Sequence, residues 1–125
     1  EARVLAVLDW ELSTLGNPLA DLAYACMPYH IGSPTTPPLK TVAGAASGIP
    51  TERETVELYC ELTGRASIDS WPFYLAFSLF RYASIVQGVH RRGLEGNASS
   101  GRDALLYRKR VIAAAEAGIA LVREA

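Results

Sequence analysis

Residues 7–23, VLDWELSTLGNPLADLA, decide the fold of this chain, because they join the end of an aliphatic run, an acidic turn and the start of a helix. The aliphatic run, residues 4–8, is short and partly β-branched, which is typical of a strand buried on both faces. The run stops at Asp9, and a Gly-Asn-Pro turn follows, with Pro18 suited to the first turn of a helix. The sequence therefore predicts a strand that delivers Asp9 to its carboxyl end, where α/β folds bind ligands.

Two carboxylates at this point indicate a metal site. Asp9 and Glu11 lie two positions apart, so their side chains point the same way if the chain stays extended. Carboxylate oxygens suit a hard cation such as Mg²⁺, which keeps several waters and takes further ligands from substrate phosphates. Spacing by itself also leaves open a plainer interpretation, in which Asp9 caps the turn after the strand.

Four helices are predicted after this motif. Pro28 marks the end of the first, and a loop rich in Pro and Gly over residues 31–50 separates it from the second. Thr51 and Glu54 form a capping box, and Gly64 supplies the stop. The third is apolar on nearly every side, which indicates a central helix. The four are predicted at residues 19–29, 51–63, 71–92 and 102–123, the last with an apolar stripe of Leu105, Ile112, Ala115, Ile119 and Val122.

Composition excludes several classes of protein. The chain has 125 residues, half of them apolar, and a net charge of -1 from 12 basic and 13 acidic side chains. We therefore expect no nucleic-acid partner and no membrane partner. Cys26 and Cys60 lack the spacing of metal ligands and are expected to be buried thiols in the reducing cytoplasm. A disulfide between them is the alternative if the protein is exported.

The segments Leu8-Asp9-Trp10-Glu11, Gly16-Asn17-Pro18 and Asp21-Leu22-Ala23 together resemble the metal-binding motif of the aminoglycoside phosphotransferase and choline kinase superfamily. They are particularly similar to the kinase-like domain fused to acyl-CoA dehydrogenases and to its stand-alone bacterial relatives. The resemblance is dense over residues 4–29. It implies a mainly α fold, the C-terminal helical part of a protein-kinase-like (α+β) C-lobe, with one N-terminal strand followed by about four helices.

The resemblance also implies roles for individual residues. Asp9 matches the aspartate that binds Mg²⁺ and thereby orients the β- and γ-phosphates of ATP. Glu11 stands where protein kinases have a glycine, and a second metal or substrate contact is expected there. Asp21 matches an aspartate that is expected to hold the catalytic loop by hydrogen bonds. Gly16 and Pro18 are expected to shape the turn that supports the site.

The catalytic loop of such kinases has no counterpart in this sequence. In the family it carries the general-base aspartate, typically as His-Gly-Asp, and precedes the metal motif. We therefore expect residues 1–125 to be a single domain without a catalytic residue, the C-terminal portion of a phosphotransferase whose nucleotide lobe and catalytic loop are absent. The resemblance implies that the parent protein is an enzyme using Mg²⁺ and ATP. The chain alone is expected to bind neither tightly and to be inactive.

The later helices of this superfamily shape the acceptor pocket, so the resemblance implies a small-molecule hydroxyl acceptor. Candidate lining residues are Tyr29, Trp71, Tyr74, Phe77 and Arg81. The alternative is that these aromatic side chains belong to the core. Few acids cluster in the helical region, which argues against a polycationic aminoglycoside and for a neutral or anionic hydroxylated metabolite. The dehydrogenase-fused relatives make a hydroxyacyl compound the first to test.

Other functions stay open. A non-catalytic helical module derived from the same fold would use exposed apolar surface for dimerisation or scaffolding. Its partner would be the missing N-terminal lobe or a second copy. A helical ligand-binding domain unrelated to kinases is a third hypothesis. The basic clusters Arg91-Arg92 and Arg108-Lys109-Arg110 are either solvated helix faces or contacts for phosphate or coenzyme A.

Overall fold

The chain is mainly helical, as predicted. The structure, a computed structural model, describes residues 3–8, 13–33, 36–96 and 104–124. Its helices are α1 (Pro18–Cys26), α2 (Glu52–Thr63), α3 (Trp71–Leu94) and α4 (Ala104–Glu124), with short 3₁₀ turns at Met27–Tyr29 and Leu39–Thr41. No helix of this described part combines the length and the hydropathy that a membrane span requires.

The strand predicted over residues 4–8 is not formed. These residues have no regular secondary structure, and Val4 and Leu8 are 83% and 80% exposed. A strand needs a neighbour that satisfies its backbone groups. The described residues offer only isolated antiparallel bridges, both within the loop over residues 31–50. An aliphatic run therefore cannot become a buried strand here, whatever its intrinsic preference.

The limits of α1 follow from its flanking residues. The Asn17 side-chain carbonyl accepts a hydrogen bond from the Leu19 amide at 3.0 Å, which satisfies one of the free donors at a helix start. Pro18 occupies the first position of the helix, where its missing N–H costs nothing. The α-helix ends at Cys26, and the chain passes into a 3₁₀ turn that contains Pro28.

The predicted capping box of α2 is present. The Thr51 hydroxyl accepts a hydrogen bond from the Glu54 amide at 3.2 Å, and the Glu54 carboxylate accepts one from the Thr51 amide at 2.7 Å. Gly64 ends the helix with φ 68°, a left-handed conformation that glycine adopts without strain. Local side-chain chemistry thus fixes both ends of this helix.

Helix α3 holds the core together. Its Leu75 packs in a buried cluster with α1, and its Leu79 packs in a second cluster with Met27 and with Ala114 of α4. Leu75 and Leu79 are 2% and 0% exposed, and burying a leucine side chain stabilises a fold by about 1.5–3 kcal/mol. The predicted central position of this helix is therefore confirmed, although Phe73, Phe77, Phe80 and Ile85 remain exposed.

The apolar stripe predicted for α4 does not form the buried face of the helix. All five of its residues are exposed: Leu105, Ile112, Ala115, Ile119 and Val122. The buried face instead carries Tyr107 and Ala114. A Cβ at Gly118 would lie 3.6 Å from Leu79 Cβ, at an ordinary contact distance, so this small-residue face of α4 lies directly against α3. Close backbone approach, rather than side-chain hydropathy, selects the buried face.

The loop after α1 folds tightly on itself, and Gly32 permits it. A Cβ at this position would lie 2.5 Å from the Thr36 carbonyl oxygen and 2.9 Å from the Pro38 nitrogen.

We predict that Gly32→Ala destabilises the chain by about 1–3 kcal/mol, as other over-packed substitutions do. Urea unfolding followed by circular dichroism measures this loss. Gly93→Ala is the control, because a Cβ there meets nothing within 4 Å and alanine favours a helix; an equal loss in both variants would contradict the prediction.

Candidate functional site

The Glu52 carboxylate joins three segments that are distant in sequence. It lies in the first turn of α2. One carboxylate oxygen is 2.8 Å from His30 Nε2, and the other accepts a hydrogen bond from Trp71 Nε1 at 2.8 Å. The segment just after the Met27–Tyr29 turn, the start of α2 and the start of α3 therefore meet at one ionisable group.

The surroundings of Glu52 keep its carboxylate ionised. Burial by itself would raise its pKa, but the hydrogen bonds from His30 and Trp71 and the charges of His30 and Lys40 outweigh burial, so the pKa lies below its ordinary value of 4.5. The same charge adds to burial in raising the pKa of the Cys26 thiol to about 11. Cys26 and Cys60 are both buried thiols, as predicted.

Tyr29 closes the long loop between α1 and α2. Its hydroxyl donates a hydrogen bond to the Pro50 carbonyl at 2.7 Å and lies 3.2 Å from the Thr55 hydroxyl oxygen. The ring is 5% exposed, so the side chain also contributes to the core. Both ends of the loop over residues 31–50 are thereby attached to each other and to α2.

A cavity of about 510 Å³ lies beside this network, within the range of about 300–1,000 Å³ that is usual for small-molecule sites. Arg53 and Glu57 on its rim form an exposed ion pair at 2.8 Å, and Lys40 adds a further cation. The lining comprises Tyr29, Lys40, Ala43, Thr51, Glu52, Arg53, Val56, Glu57 and Trp71. Apolar and aromatic walls with a few charged groups suit a ligand that is partly apolar.

The structure separates the five residues predicted to line one acceptor pocket. Tyr29 and Trp71 line the cavity, whereas Tyr74, Phe77 and Arg81 do not. The Tyr74 hydroxyl accepts a hydrogen bond from Asn17 at 3.0 Å. Phe77 is exposed and stacks on a neighbouring ring with the centroids 6.3 Å apart, and the Arg81 guanidinium carbon lies 5.9 Å from the Tyr24 ring centroid. Their role in binding an acceptor stays a prediction.

Asn17 is a residue whose contribution the sequence motif did not reveal. Its carbonyl caps α1, and its amide group donates to Tyr74 on α3, 57 residues away. Asn before Pro is a good helix-cap signal, but nothing local indicates the second bond. The side chain therefore fixes the start of α1 against the first turn of α3.

The residues predicted to support the metal site lie at the start of α1 or just before it, and most are exposed. Gly16 is exposed with open space around its Cα, Pro18 begins α1, and Asp21 is exposed in the first turn of that helix. Asp9 and Glu11, the predicted ligands, lie outside the described residues. Among the residues that are described, no three His, Cys, Asp or Glu side chains are grouped to hold a metal. The fit to Mg²⁺ thus rests on the chemistry of the carboxylates at 9 and 11.

The lowered pKa of Glu52 generates a prediction about acid stability. A carboxylate whose pKa is lower in the folded state stabilises the fold above the unfolded pKa, and that stabilisation is lost as pH falls through the folded value. Glu52→Gln should therefore cost about 1.5–3 kcal/mol near pH 5.5, the range for hydrogen bonds to charged groups, and less as the pH falls below about 4.5.

Urea unfolding of both proteins between about pH 5.5 and pH 3 measures this difference. Trp71→Phe is the second variant, because it removes one donor to the carboxylate and should make the acid-dependent part smaller. A stability difference between wild type and Glu52→Gln that does not change with pH would contradict the assignment.

Comparison with known proteins identifies relatives of this chain. The model of the phosphotransferase enzyme family (APH) matches residues 1–59. Acyl-CoA dehydrogenase family member 10 of Mus musculus is 51% identical over 102 residues, and member 11 of Homo sapiens is 45% identical over 124 residues. These matches cover 80% and 97% of this chain but only 10% and 16% of the relatives, so the chain corresponds to a small part of each.

A solved structure agrees with the helical arrangement. A crystal structure from Ralstonia eutropha, described as a candidate aminoglycoside phosphotransferase, superposes with a TM-score of 0.84 at 47% identity. The match covers 98% of this chain and 37% of that one. The helices described above are therefore the C-terminal helical part of a kinase-like fold, and the predicted resemblance is confirmed. The chain is thus similar to the phosphotransferase enzyme family over residues 1–59, and over most of its length to this crystal structure and to a part of acyl-CoA dehydrogenase family members 10 and 11.

Proposed function

We propose that this chain is the metal-binding and acceptor-binding part of an ATP-dependent phosphotransferase that acts on a hydroxylated small molecule. The observation that carries the proposal is the acidic motif at residues 8–23, which lies inside the segment matched by the phosphotransferase family. In the complete enzyme, Mg²⁺ supplies neutralisation of the charge on the transferred phosphoryl group. We place the activity in the cytoplasm, where the thiols of Cys26 and Cys60 stay reduced.

Four residues of this chain have distinct roles in the proposed site. Asp9 holds the cation through its carboxylate, and Glu11 offers a second oxygen ligand two positions on. Asp21 supports the catalytic loop through hydrogen bonds from its exposed position on α1. The Asn17 cap keeps the segment after the acidic turn in a fixed relation to α3. Positioning of this kind is the main contribution that a protein makes to phosphoryl transfer.

The 510 Å³ cavity is the proposed acceptor site. Trp71 lines it and lies three residues before Tyr74 on α3, so the two share one face of the helix. Because Asn17 binds Tyr74, the wall of the cavity is linked to the segment that follows the metal motif. Both acids in the lining already have partners, Glu52 in His30 and Trp71 and Glu57 in Arg53, and Lys40 and Arg53 add positive charge. A neutral or anionic acceptor therefore fits, and the dehydrogenase names of the relatives favour a hydroxyacyl compound.

The 125-residue chain alone is predicted to transfer no phosphate. Catalysis needs a general base and the groups that hold the γ-phosphoryl group, and these residues supply neither. An assay with Mg²⁺, ATP and a panel of hydroxy acids and hydroxyacyl thioesters should show no turnover above the background. Turnover by the chain alone would contradict the prediction of an incomplete site.

The metal assignment is tested in a polypeptide that joins this chain to its nucleotide lobe. Asp9→Ala should reduce kcat by at least about a hundredfold, because removing one charged group that stabilises a transition state costs that much. Asp69→Ala is the matched control, since Asp69 is an exposed carboxylate outside the motif. Equal activity of the two variants would contradict a role for Asp9 in binding Mg²⁺.

A non-catalytic dimerisation module is the second candidate function, and one observation favours it. Phe80, Ile119 and Val122 are 67%, 52% and 64% exposed and line a groove of about 330 Å³ between α3 and α4. Exposed apolar patches of this kind mark interaction surfaces. Here we take the occupant to be a second copy of the chain.

Sedimentation velocity tests the dimer. The chain should associate as its concentration rises, and Ile119→Glu should keep it monomeric because a carboxylate cannot be buried unpaired. Ile85→Glu is the control, since Ile85 is 54% exposed on α3 but does not line the groove. A wild-type chain that stays monomeric at all concentrations would exclude this function.

A further inference from the structure

A second cavity, lined by the loop that follows α1, includes a cation that forms no ion pair with another described residue. Its volume is about 440 Å³, and it lies between α1, this loop, α3 and α4. Met27, Ile31 and Leu39 give it apolar walls, and Tyr24 and Tyr82 add aromatic rings. Arg110 of α4 also lines it. The cavity shares no residue with the one beside Glu52.

Arg110 connects this cavity to a smaller groove. The groove has a volume of about 300 Å³, and Lys109 and Arg110 line it together with the loop around Gly32 and Pro37. Gly32, Pro37 and Arg110 line both spaces, so the two are contiguous at the guanidinium. A pocket with apolar walls therefore opens beside two adjacent basic side chains.

No acidic side chain balances these cations. Neither cavity has an Asp or Glu in its lining, and within residues 3–8, 13–33, 36–96 and 104–124 neither Lys109 nor Arg110 forms an ion pair. Arg110 is nevertheless half-buried. A partly desolvated guanidinium without a carboxylate partner is costly unless an anion binds to it. Its planar fork matches carboxylate and phosphate groups.

Tyr24 and Tyr82 offer two further polar groups to a ligand in the larger cavity. The hydroxyls of Tyr24 and Tyr82 make no hydrogen bond to another described residue. Tyr24 also has the Arg81 guanidinium over its ring, with the carbon 5.9 Å from the centroid, although Arg81 does not line the cavity. The tight turn at Gly32 leaves no room for a side chain, so the loop wall has a defined shape.

We propose that this double cavity binds an amphipathic small-molecule anion, whose apolar body occupies the larger cavity and whose carboxylate or phosphate group binds Arg110 and Lys109. Apolar burial supplies affinity for the body. The charge-assisted hydrogen bonds of the guanidinium supply selectivity for the anion. The site is separate from the proposed acceptor cavity and does not depend on phosphotransferase activity.

Isothermal titration of the 125-residue chain with three eight-carbon probes tests the proposal. Octanoate and octyl phosphate carry the two head groups, and octanol carries neither charge. At least one anion should bind saturably and about tenfold more tightly than octanol, a difference of about 1.4 kcal/mol. The tighter anion identifies the head group. Octanol binding as tightly as both anions, or no saturable binding of either, would overturn the proposal.

Substitutions on α4 locate the anion. Arg110→Gln should weaken the tighter anion by about tenfold or more, whereas Arg108→Gln should leave its affinity unchanged, because Arg108 is exposed and lines neither cavity. Equal weakening by both variants would show attraction to the general charge of α4 and overturn the site.

A second experiment uses only the wild-type chain, so it does not depend on whether a variant folds. In ¹H–¹⁵N spectra of the wild-type chain, the tighter anion should shift the Gly32 and Arg110 amides and leave the Gly64 amide unmoved. Shifts confined to residues outside both cavities would also overturn the assignment.

Discussion

The packing of α3 against α1 on one side and α4 on the other is the constraint on which the rest of the structure depends. Leu75 and Leu79, one helical turn apart, belong to the two separate buried clusters. Leu121 of α4 packs against both, so the clusters cannot rearrange independently. Helix α1, which follows the carboxylates of residues 9 and 11 in the sequence, is therefore positioned by apolar contacts with helices made far along the chain.

Helix α2 is attached in a different way. Of its residues only Cys60 is buried, and its first turn is held by the polar contacts of Glu52 and by the Tyr29 hydroxyl. Hydrogen bonds to a charged group stabilise by about 1.5–3 kcal/mol, which is less than the burial of several leucines. Opening this wall of the proposed acceptor cavity should therefore cost less than separating α3 from α1 or α4, and binding sites are often drawn from less stable parts of a fold.

The sequence predicted those features of the fold that depend on neighbouring residues. Pro18, the capping box at Thr51 and the stop at Gly64 set helix ends through contacts within one turn. The strand over residues 4–8 and the buried face of α4 could not be predicted in this way. A strand depends on a partner, and the face of α4 depends on how closely Gly118 approaches α3.

In the candidate site, too, the sequence predicted some residues but not the contacts between distant ones. The sequence predicts that Tyr29 and Trp71 line a pocket, and both line the cavity beside Glu52. Glu52 looked like an ordinary acid in the first turn of a capped helix, because its partners His30 and Trp71 are 22 and 19 residues away. Contacts over such separations leave no periodic signal, so the network becomes visible only when the chain is folded.

The bond from Tyr29 to Pro50 has a consequence for how this region can change over time. It closes the intervening loop at its base, so the conformational cost of the loop grows only slowly with its length. The exposed residues Ala45 to Gly48 form the tip of a turn that the Gly44–Ile49 bridge closes, and exposed loop tips are where insertions and deletions are best tolerated. Lys40 and Ala43 in the same loop line the proposed acceptor cavity. Changes in loop length could thus remodel one wall of that cavity while α1, α2 and α3 stay as they are.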